Sequence, residues 1–346
     1  MGYVRNSWYV AEWAYTIEVG KPHGVTILNE PIVIWRDESG TVHALEDRCV
    51  HRLAPLSLGR CEGANLRCMY HGFMFDPDGR VVEIPGQAEI PPIARVKRYS
   101  VVEQDSWVWI WMGSPEMADQ VPIPRVFGID HPDWVLRHGQ LEYAAEARLI
   151  NDNLTDFSHL AYVHRASFGA NEDFAKAKAV VTTIDRGVRI QRWAANQPPA
   201  GDPDSSHLLD VYLTYDYLIP GILCLHTKLY PVGTFARTGH VELPPGEEFL
   251  YMYSAQAVTP TGTKSTRYFF SNGSHAPADP DQVEGLWAIT LQAFAEDNVI
   301  IEGQQRIIDL DPIRRVMPAI NDKATVLYNR LVDRLVREEQ ASEAAA

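Results

Sequence analysis

Between Asn151 and His164 the chain reads NDNLTDFSHLAYVH, placing two carboxylates, two histidines and two asparagines in a stretch that otherwise resembles a buried helix. Leu154, Phe157, Leu160 and Ala161 recur at helical spacing, so Asn153, Asp156 and His159 border an apolar face. Polar groups there are costly without partners. His159 and His164 lie five residues apart, about 140° around a regular helix, so the helix must distort for both to reach one ion. A π-bulge or a break near Ala161 to Val163 would achieve this. Two neutral imidazoles and one carboxylate from elsewhere would form a facial triad with open positions, the ligand set suited to non-haem Fe(II) oxygen chemistry. Without a third ligand, the same residues read as a helix with two ordinary histidines.

Residues 283–308 supply a candidate. They read as a long amphipathic helix on which Phe294, Asp297 and Ile301 share one face, while Glu296 and Glu302 point elsewhere. A carboxylate among core residues calls for a cation, which assigns Asp297 to a metal with His159 and His164.

A second set of ligands lies upstream. Cys49-Val-His51 is followed, after sixteen intervening residues, by Cys68-Met-Tyr-His71. A Cys/His pair in each of two loops can hold one tetrahedral zinc, or a [2Fe-2S] cluster with both histidines on one iron. Zinc modules usually space their first pair by two to four residues, so the one-residue gap favours the Rieske cluster. Pro55 and Gly59 keep the first loop from becoming helix, and Gly72 follows the last ligand where backbone must crowd the cluster. Cys61 and Cys224 fall outside this pairing and read as free thiols. Arg48, Arg52, Arg60 and Arg67 surround the loops with Glu62 as the one acid between residues 48 and 71, an excess able to steer an acidic electron donor or simply a solvated surface.

The elements that must position these ligands are legible in outline. Residues 3 to 45 alternate apolar runs with turns and read as antiparallel strands. GFMFD, the turn at Pro77-Asp78-Gly79 and RVVEIPG form a hairpin. SWVWIWMG alternates Trp107, Trp109 and Trp111 with Val108, Ile110 and Met112, a strand buried on both faces whose tryptophans belong to the core. The Pro-rich segment from Pro115 to Pro132 is a linker, giving domains at 1–118 and 119–346. Strand patterns fill residues 178 to 275, and the terminal EEQASEAAA looks frayed. The predicted fold is α+β: an all-β cluster domain, then a catalytic domain with an antiparallel sheet wrapped on helices, helix-grip-like.

Composition narrows the function. With 346 residues, two cores are affordable, and 46% hydrophobic with 22% charged residues is ordinary for a globular protein. A net charge of -14 argues against nucleic-acid binding. No apolar run reaches the about 18 residues of a membrane helix, and the first residues lack the apolar core of a signal peptide, so a cytoplasmic protein without a membrane partner is expected.

The paired Cys/His loops and an NxxDxxHxxxxH segment closed by a late aspartate resemble the oxygenase component of Rieske non-haem iron oxygenases. Asn6-Ser-Trp-Tyr-Val, Arg48-Cys-Val-His-Arg, Ala54-Pro-Leu-Ser-Leu-Gly, Tyr70-His-Gly, Ile84-Pro-Gly-Gln, Asn153-Leu-Thr-Asp-Phe-Ser-His and Glu296-Asp297 are similar to the vanillate O-demethylase, dicamba and toluenesulfonate monooxygenase branch. The resemblance implies a cluster on Cys49, His51, Cys68 and His71, a mononuclear Fe(II) on His159, His164 and Asp297, and Asn153 near the iron. It further implies a head-to-tail homotrimer in which His71 of one chain meets Asp156 of the next, Asp156 also holding His159. Electrons would come from NAD(P)H through a separate reductase or ferredoxin. The implied reaction uses O2 to insert one oxygen atom into a methyl or methylene C-H bond of a small aromatic substrate, aromatic acids included; the resulting hemiacetal collapses to a phenol and an aldehyde, and the other oxygen leaves as water. Tyr215, Tyr217, His226 and Trp287 are candidates for the substrate pocket, although core packing accounts for each as well. A ring-hydroxylating enzyme of the same architecture is the alternative, and a zinc or electron-carrier protein is disfavoured by the long chain beyond the cluster loops.

Overall fold

The computed structural model describes residues 2–239, 241–243 and 246–345. The chain divides into two compact units, Met1–Gly128 with Thr259–Thr263, and Ile129–Val258 with Lys264–Ala346.

The first unit is built from three small antiparallel sheets. In one, β1 (Trp8–Trp13) and β9 (Val101–Gln104) flank β10 (Trp107–Trp111); in the second, β2 (His23–Ile27), β3 (Glu30–Arg36) and β4 (Val42–Glu46) form a meander; in the third, β5 (Arg60–Glu62), β6 (Asn65–Arg67), β7 (Met74–Phe75) and β8 (Val81–Glu83) follow in order. The period of two on β3 explains why the sheets pack on one another. Ile32 and Ile34 join a core with Val108, Ile110 and Met112, whereas Val33 and Trp35 face Leu56, Leu66, Phe75 and the cysteines Cys49 and Cys68. Ile32, Val33 and Ile34 have no exposed surface, so each contributes about 1.5–3 kcal/mol over an exposed side chain. The tryptophan stripe of β10 is core, with Trp109 Nε1 donating to Gln104 O at 3.1 Å and Trp111 Nε1 to Ser114 O at 2.9 Å.

The second unit is a seven-stranded antiparallel sheet in the order β11-β17-β16-β15-β14-β13-β12. Its strands are β11 (Trp134–Tyr143), β12 (Val180–Ile184), β13 (Gly187–Gln197), β14 (Leu209–Leu218), β15 (Ile222–Pro231), β16 (Leu250–Gly262) and β17 (Ser265–His275). Among the described residues five α-helices accompany it: α1 (Ala147–Thr155), α2 (Glu172–Lys176), α3 (Thr234–Thr238), α4 (Pro280–Leu310) and α5 (Lys323–Ala345). Asp279 caps α4 by accepting from Asp281 N, and Pro280 occupies the first helical position, where its missing N–H costs nothing. Phe294 of α4 packs edge-on against Tyr268 and Phe270 of β17, with ring centroids 5.4 and 4.7 Å away. α5 braces α1 through the hydroxyls of Thr325 and Thr155, 2.9 Å apart, and through Asn329, which donates to Asp152 at 2.7 Å. The C-terminal stretch expected to fray continues α5 as far as Ala345. Among the described residues, no helix is long and apolar enough to cross a membrane. The α+β reading holds: an all-β first unit and a second unit that lays helices on a large antiparallel sheet.

Candidate metal centres

The segment from Asn151 to His164 is not one helix. α1 stops at Thr155, and Asp156 leaves the helical region at φ -133°, ψ 98°. Its carboxylate caps the next turn, accepting from Ser158 N and Ser158 Oγ, both at 2.9 Å. A 3-10 turn over Phe157–Ala161 follows and ends at Tyr162. The distortion is therefore a break at Asp156 and a second at Tyr162, with no π-bulge. It brings the His159 and His164 rings to 5.2 Å between centroids.

Hydrogen bonds fix both rings with Nε2 facing the same carboxylate. His159 Nδ1 lies 2.7 Å from the main-chain oxygen of Asp156, which can only accept, so Nδ1 carries the proton and Nε2 is left with its lone pair. His164 Nδ1 likewise donates to Glu296 Oε2 at 2.9 Å. The two Nε2 atoms lie 3.6 Å from Asp297 Oδ1 and 3.2 Å from Asp297 Oδ2 respectively. Asn153 Nδ2 donates to Asp297 Oδ1 at 2.9 Å and stands 3.4 Å from His159 Nε2. One ligand atom from each of His159, His164 and Asp297 falls within 4.8 Å of the others. Two imidazole nitrogens and a carboxylate gathered in this way can hold a divalent ion and leave other positions open. Burial lowers the pKa of His159, its largest influence, which keeps the ring neutral as a ligand must be. Burial also acts to lower His164, but hydrogen bonds and charge from Asp297 and Glu296 outweigh it and raise the pKa.

Two expectations need correcting here. The Asp156 carboxylate does not hold His159; the Asp156 main-chain carbonyl does, because the side chain is turned to Ser158 and lies 3.9 Å from the buried Arg192. Glu296, read as pointing away, reaches His164 and also accepts from Ser167 Oγ at 2.7 Å. A glutamate one residue from Asp297 sits about 100° around the helix, and its long side chain spans that difference.

The triad lines a cavity of about 650 Å³ in the second unit, within the range of small-molecule sites. Leu213, Leu225, Thr227 and Met252 contribute from the sheet, and Leu286, Ile289 and Phe294 from α4. None of the four pocket candidates lines it. Tyr215 is covered by Phe157, stacked at 4.6 Å, and Tyr217 lies farther along β14, donating to Asn151 Oδ1 at 2.7 Å and meeting Tyr328. His226 falls between the cavity residues Leu225 and Thr227, hence on the opposite sheet face, where Tyr251 bonds its Nδ1 at 2.8 Å. Trp287 packs on Phe270, at 5.5 Å between centroids.

The two Cys/His loops of the first unit share one backbone design. Leu53 N donates to Cys49 O at 2.9 Å, and Gly72 N to Cys68 O at 3.0 Å; Cys49 N donates to Ala54 O at 2.9 Å, and Cys68 N to Phe73 O at 2.8 Å. Leu53 (φ 56°) and Gly72 (φ 77°) take the left-handed conformation at equivalent places. The loops bury both cysteines and leave both histidines exposed, with the imidazole centroids of His51 and His71 4.5 Å apart. Burial foremost pushes the Cys49 thiol up to about 11. Two neighbouring buried thiols without a disulfide, beneath two outward imidazoles, fit a [2Fe-2S] cluster whose positive irons would stabilise the thiolates. Cys61 and Cys224 belong to neither of the two loop pairs.

The arginines around the loops differ in kind. Arg67 is largely buried and tied to Glu62 and Glu83, at 2.7 and 2.9 Å, and to Gly72 O at 2.7 Å. Arg60 shares Glu62, and Arg48 pairs with Glu46 at 3.2 Å. Arg67 is thus a structural strut, and among the described residues the structure pairs Arg52 with no carboxylate.

Comparison with known proteins gives matches over both units. The Rieske [2Fe-2S] domain family matches residues 7–100, and the vanillate O-demethylase oxygenase C-terminal domain family matches residues 143–338. The toluene-4-sulfonate monooxygenase system iron-sulfur subunit of Comamonas testosteroni is 36% identical over 99% of each chain. The vanillate O-demethylase oxygenase subunit of a Pseudomonas species is 30% identical over 99% of this chain and 97% of its own. The crystal structure of dicamba monooxygenase bound to dicamba superposes with a TM-score of 0.85 at 30% identity, covering 99% of this chain and all of the other.

Proposed function

Because the chain belongs to the vanillate O-demethylase family of Rieske non-haem iron oxygenases, we propose that it is a terminal oxygenase that demethylates or hydroxylates the methyl group of an aromatic substrate. The observation that carries the reading is the triad of His159, His164 and Asp297 lining an apolar cavity. We assign these residues as iron ligands, and Cys49, His51, Cys68 and His71 as cluster ligands, with the functional division of the chain at 118–119. When bound, the cluster would supply electrons singly and the iron a place to activate dioxygen.

This chain's own residues prepare that chemistry. The Asp156 carbonyl and Glu296 hold the imidazoles in one tautomer. Asn153 restrains Asp297 by its hydrogen bond to Oδ1, a positioning role. Apolar walls exclude bulk water from the reacting C-H bond. For a methoxyarene the balance is ArOCH3 + O2 + 2 H+ + 2 e- → ArOH + CH2O + H2O, the electrons coming from NAD(P)H through a ferredoxin or ferredoxin-type reductase. We further propose a cytoplasmic homotrimer in which His71 of one chain approaches Asp156 of the next. The exposed run of Ile307, Leu310, Ile313, Val316, Met317 and Ile320 supports association, since a lone chain seldom exposes so many large apolar side chains together.

Metal analysis tests the assignment. The purified chain is expected to carry iron and acid-labile sulfide at about three to two, and Asp297→Ala at about one to one with its visible spectrum retained. An unchanged ratio in Asp297→Ala would refute the ligand assignment. Formaldehyde released from a methoxyarene panel supports demethylation, and a diol supports ring hydroxylation.

A further inference from the structure

We propose that the cavity selects an uncharged aromatic of about two rings, and that it does not anchor an aromatic acid through a salt bridge. The inference rests on the function proposed above and adds the charge and size of the substrate.

Charge is argued from the lining. Among the described residues, no lysine or arginine lines the cavity. Lys228 stands between the cavity residues Thr227 and Leu229, so it points to the other sheet face, where it pairs with Glu242 at 3.1 Å. Arg192 is buried nearby, but its guanidinium donates to Phe174 O at 3.2 Å, lies 3.9 Å from Asp156 and sits over the Phe174 ring. Its charge is already committed. A divalent ion at the triad would be balanced by Asp297 and Glu296, leaving no net charge to draw in an anion. A carboxylate or sulfonate buried here would lose its hydration without a counter-ion, which is the costly case.

Besides the triad, the lining carries one further imidazole, the exposed His207; its other polar side chains are amides and hydroxyls, several engaged with one another or with the strands behind them. Tyr268 OH donates to Gln256 Oε1, Gln256 Nε2 to Ser254 Oγ at 3.1 Å, and Ser254 Oγ to Ser271 O at 2.8 Å. Asn272 Nδ2 donates to Thr290 Oγ1 at 2.8 Å, which uses one of its two N–H groups and leaves its carbonyl oxygen to face a ligand. Asn272 is therefore a wall group able to orient a hydroxyl or carbonyl.

Size follows from α4. Thr290, which holds Asn272, lies seven residues before Asp297, about 10 Å along the helix. A fused pair of rings with its substituents matches that length. The cavity volume of about 650 Å³ is about four times the about 150 Å³ that suffices for benzene, which leaves room for two rings and their substituents.

Anaerobic calorimetric titration of the holoprotein with 6-methoxy-2-naphthol, 6-methoxy-2-naphthoate and 2-methoxynaphthalene tests the proposal. The naphthol is expected to bind about 100-fold more tightly than the naphthoate. Asn272→Leu is expected to weaken the naphthol about tenfold and leave 2-methoxynaphthalene unchanged. Naphthoate binding equal to or tighter than the naphthol, or no binding of any of the three, overturns the proposal. Iron and sulfide content, measured on the same samples, reports separately on the oxygenase assignment: a chain with both metal centres that prefers the naphthoate refutes the neutral cavity alone.

Discussion

Removing the Glu296 carboxylate should weaken the iron site without touching a ligand. Glu296 Oε2 accepts from His164 Nδ1, and His164 is 1% exposed, so Glu296→Ala leaves a buried N–H without an acceptor. Such an orphaned donor costs about 1–3 kcal/mol, or about 5- to 150-fold in a dissociation constant at about 1.4 kcal/mol per decade. Partners of metal-bound histidines typically contribute 10- to 100-fold in affinity, about the same interval. Ser167 Oγ loses its 2.7 Å acceptor as well, which places the expectation near the middle, at about 30-fold weaker Fe(II) binding. Glu296→Gln can keep its amide oxygen in the Oε2 place, accepting from both His164 Nδ1 and Ser167 Oγ, and gives up only the Gln292 Nε2 donor at Oε1, so its loss should stay below about fivefold. Anaerobic competition with a chelator measures both, Co(II) serves as an oxygen-stable surrogate, and the cluster's visible absorbance controls for folding. Glu296→Ala binding Fe(II) within twofold of the parent chain, while Asp297→Ala binds none, would refute the reasoning.

Four further outcomes follow from the cluster loops. Arg52→Glu should slow reduction by an acidic donor and flatten its dependence on salt, whereas Arg67→Glu should lower thermal stability and cluster content, because Arg67 is bound to Glu62, Glu83 and Gly72; equal salt dependence in Arg52→Glu and the parent argues against steering. Gly72→Ala places a Cβ 2.8 Å from the Pro85 ring in a left-handed conformation, for about 1–2 kcal/mol of strain and a melting temperature lower by about 5 °C or more; an unchanged melting curve counts against that loop geometry. Hydrogen bonds from Arg67 and then Arg60 hold Glu62 down to about 2. A depressed carboxylate stabilises the loop above its unfolded pKa and loses that contribution as pH falls toward 2, so Glu62→Gln should release the cluster at a higher pH than the parent chain in an acid titration monitored by absorbance; coincident titrations would refute this role.

The gathering of the cysteines and histidines into two matched loops was legible because one or two residues separate the members of each pair, a spacing that survives any placement of the loops. Asp297 was legible through the period of α4, where it shares a face with Phe294 and Ile301. The remaining contacts of the iron site were hidden for physical reasons. Helical projection treats a side chain as a radial spoke, whereas Glu296 swings across to His164. The group that orients His159 is a main-chain carbonyl, which every residue possesses. The pocket was misread because an aromatic residue type says nothing about which face a strand presents: one step along β15 separates His226 from Leu225 and Thr227, and one step reverses the face.

The cavity draws its two kinds of wall from elements with separate duties. α4 carries Asp297, the proposed ligand, and Glu296, the partner of His164, on the same rigid rod as Leu286, Ile289 and Phe294, so a substitution that shifts this helix disturbs both carboxylates along with the shape. The sheet wall is modular, because Leu213, Leu225 and Met252 stand on three different strands and none of those strands supplies a ligand. Retailoring this catalyst for a new molecule is therefore a task for β14, β15 and β16, where volume can be traded residue by residue while the chemistry stays in register.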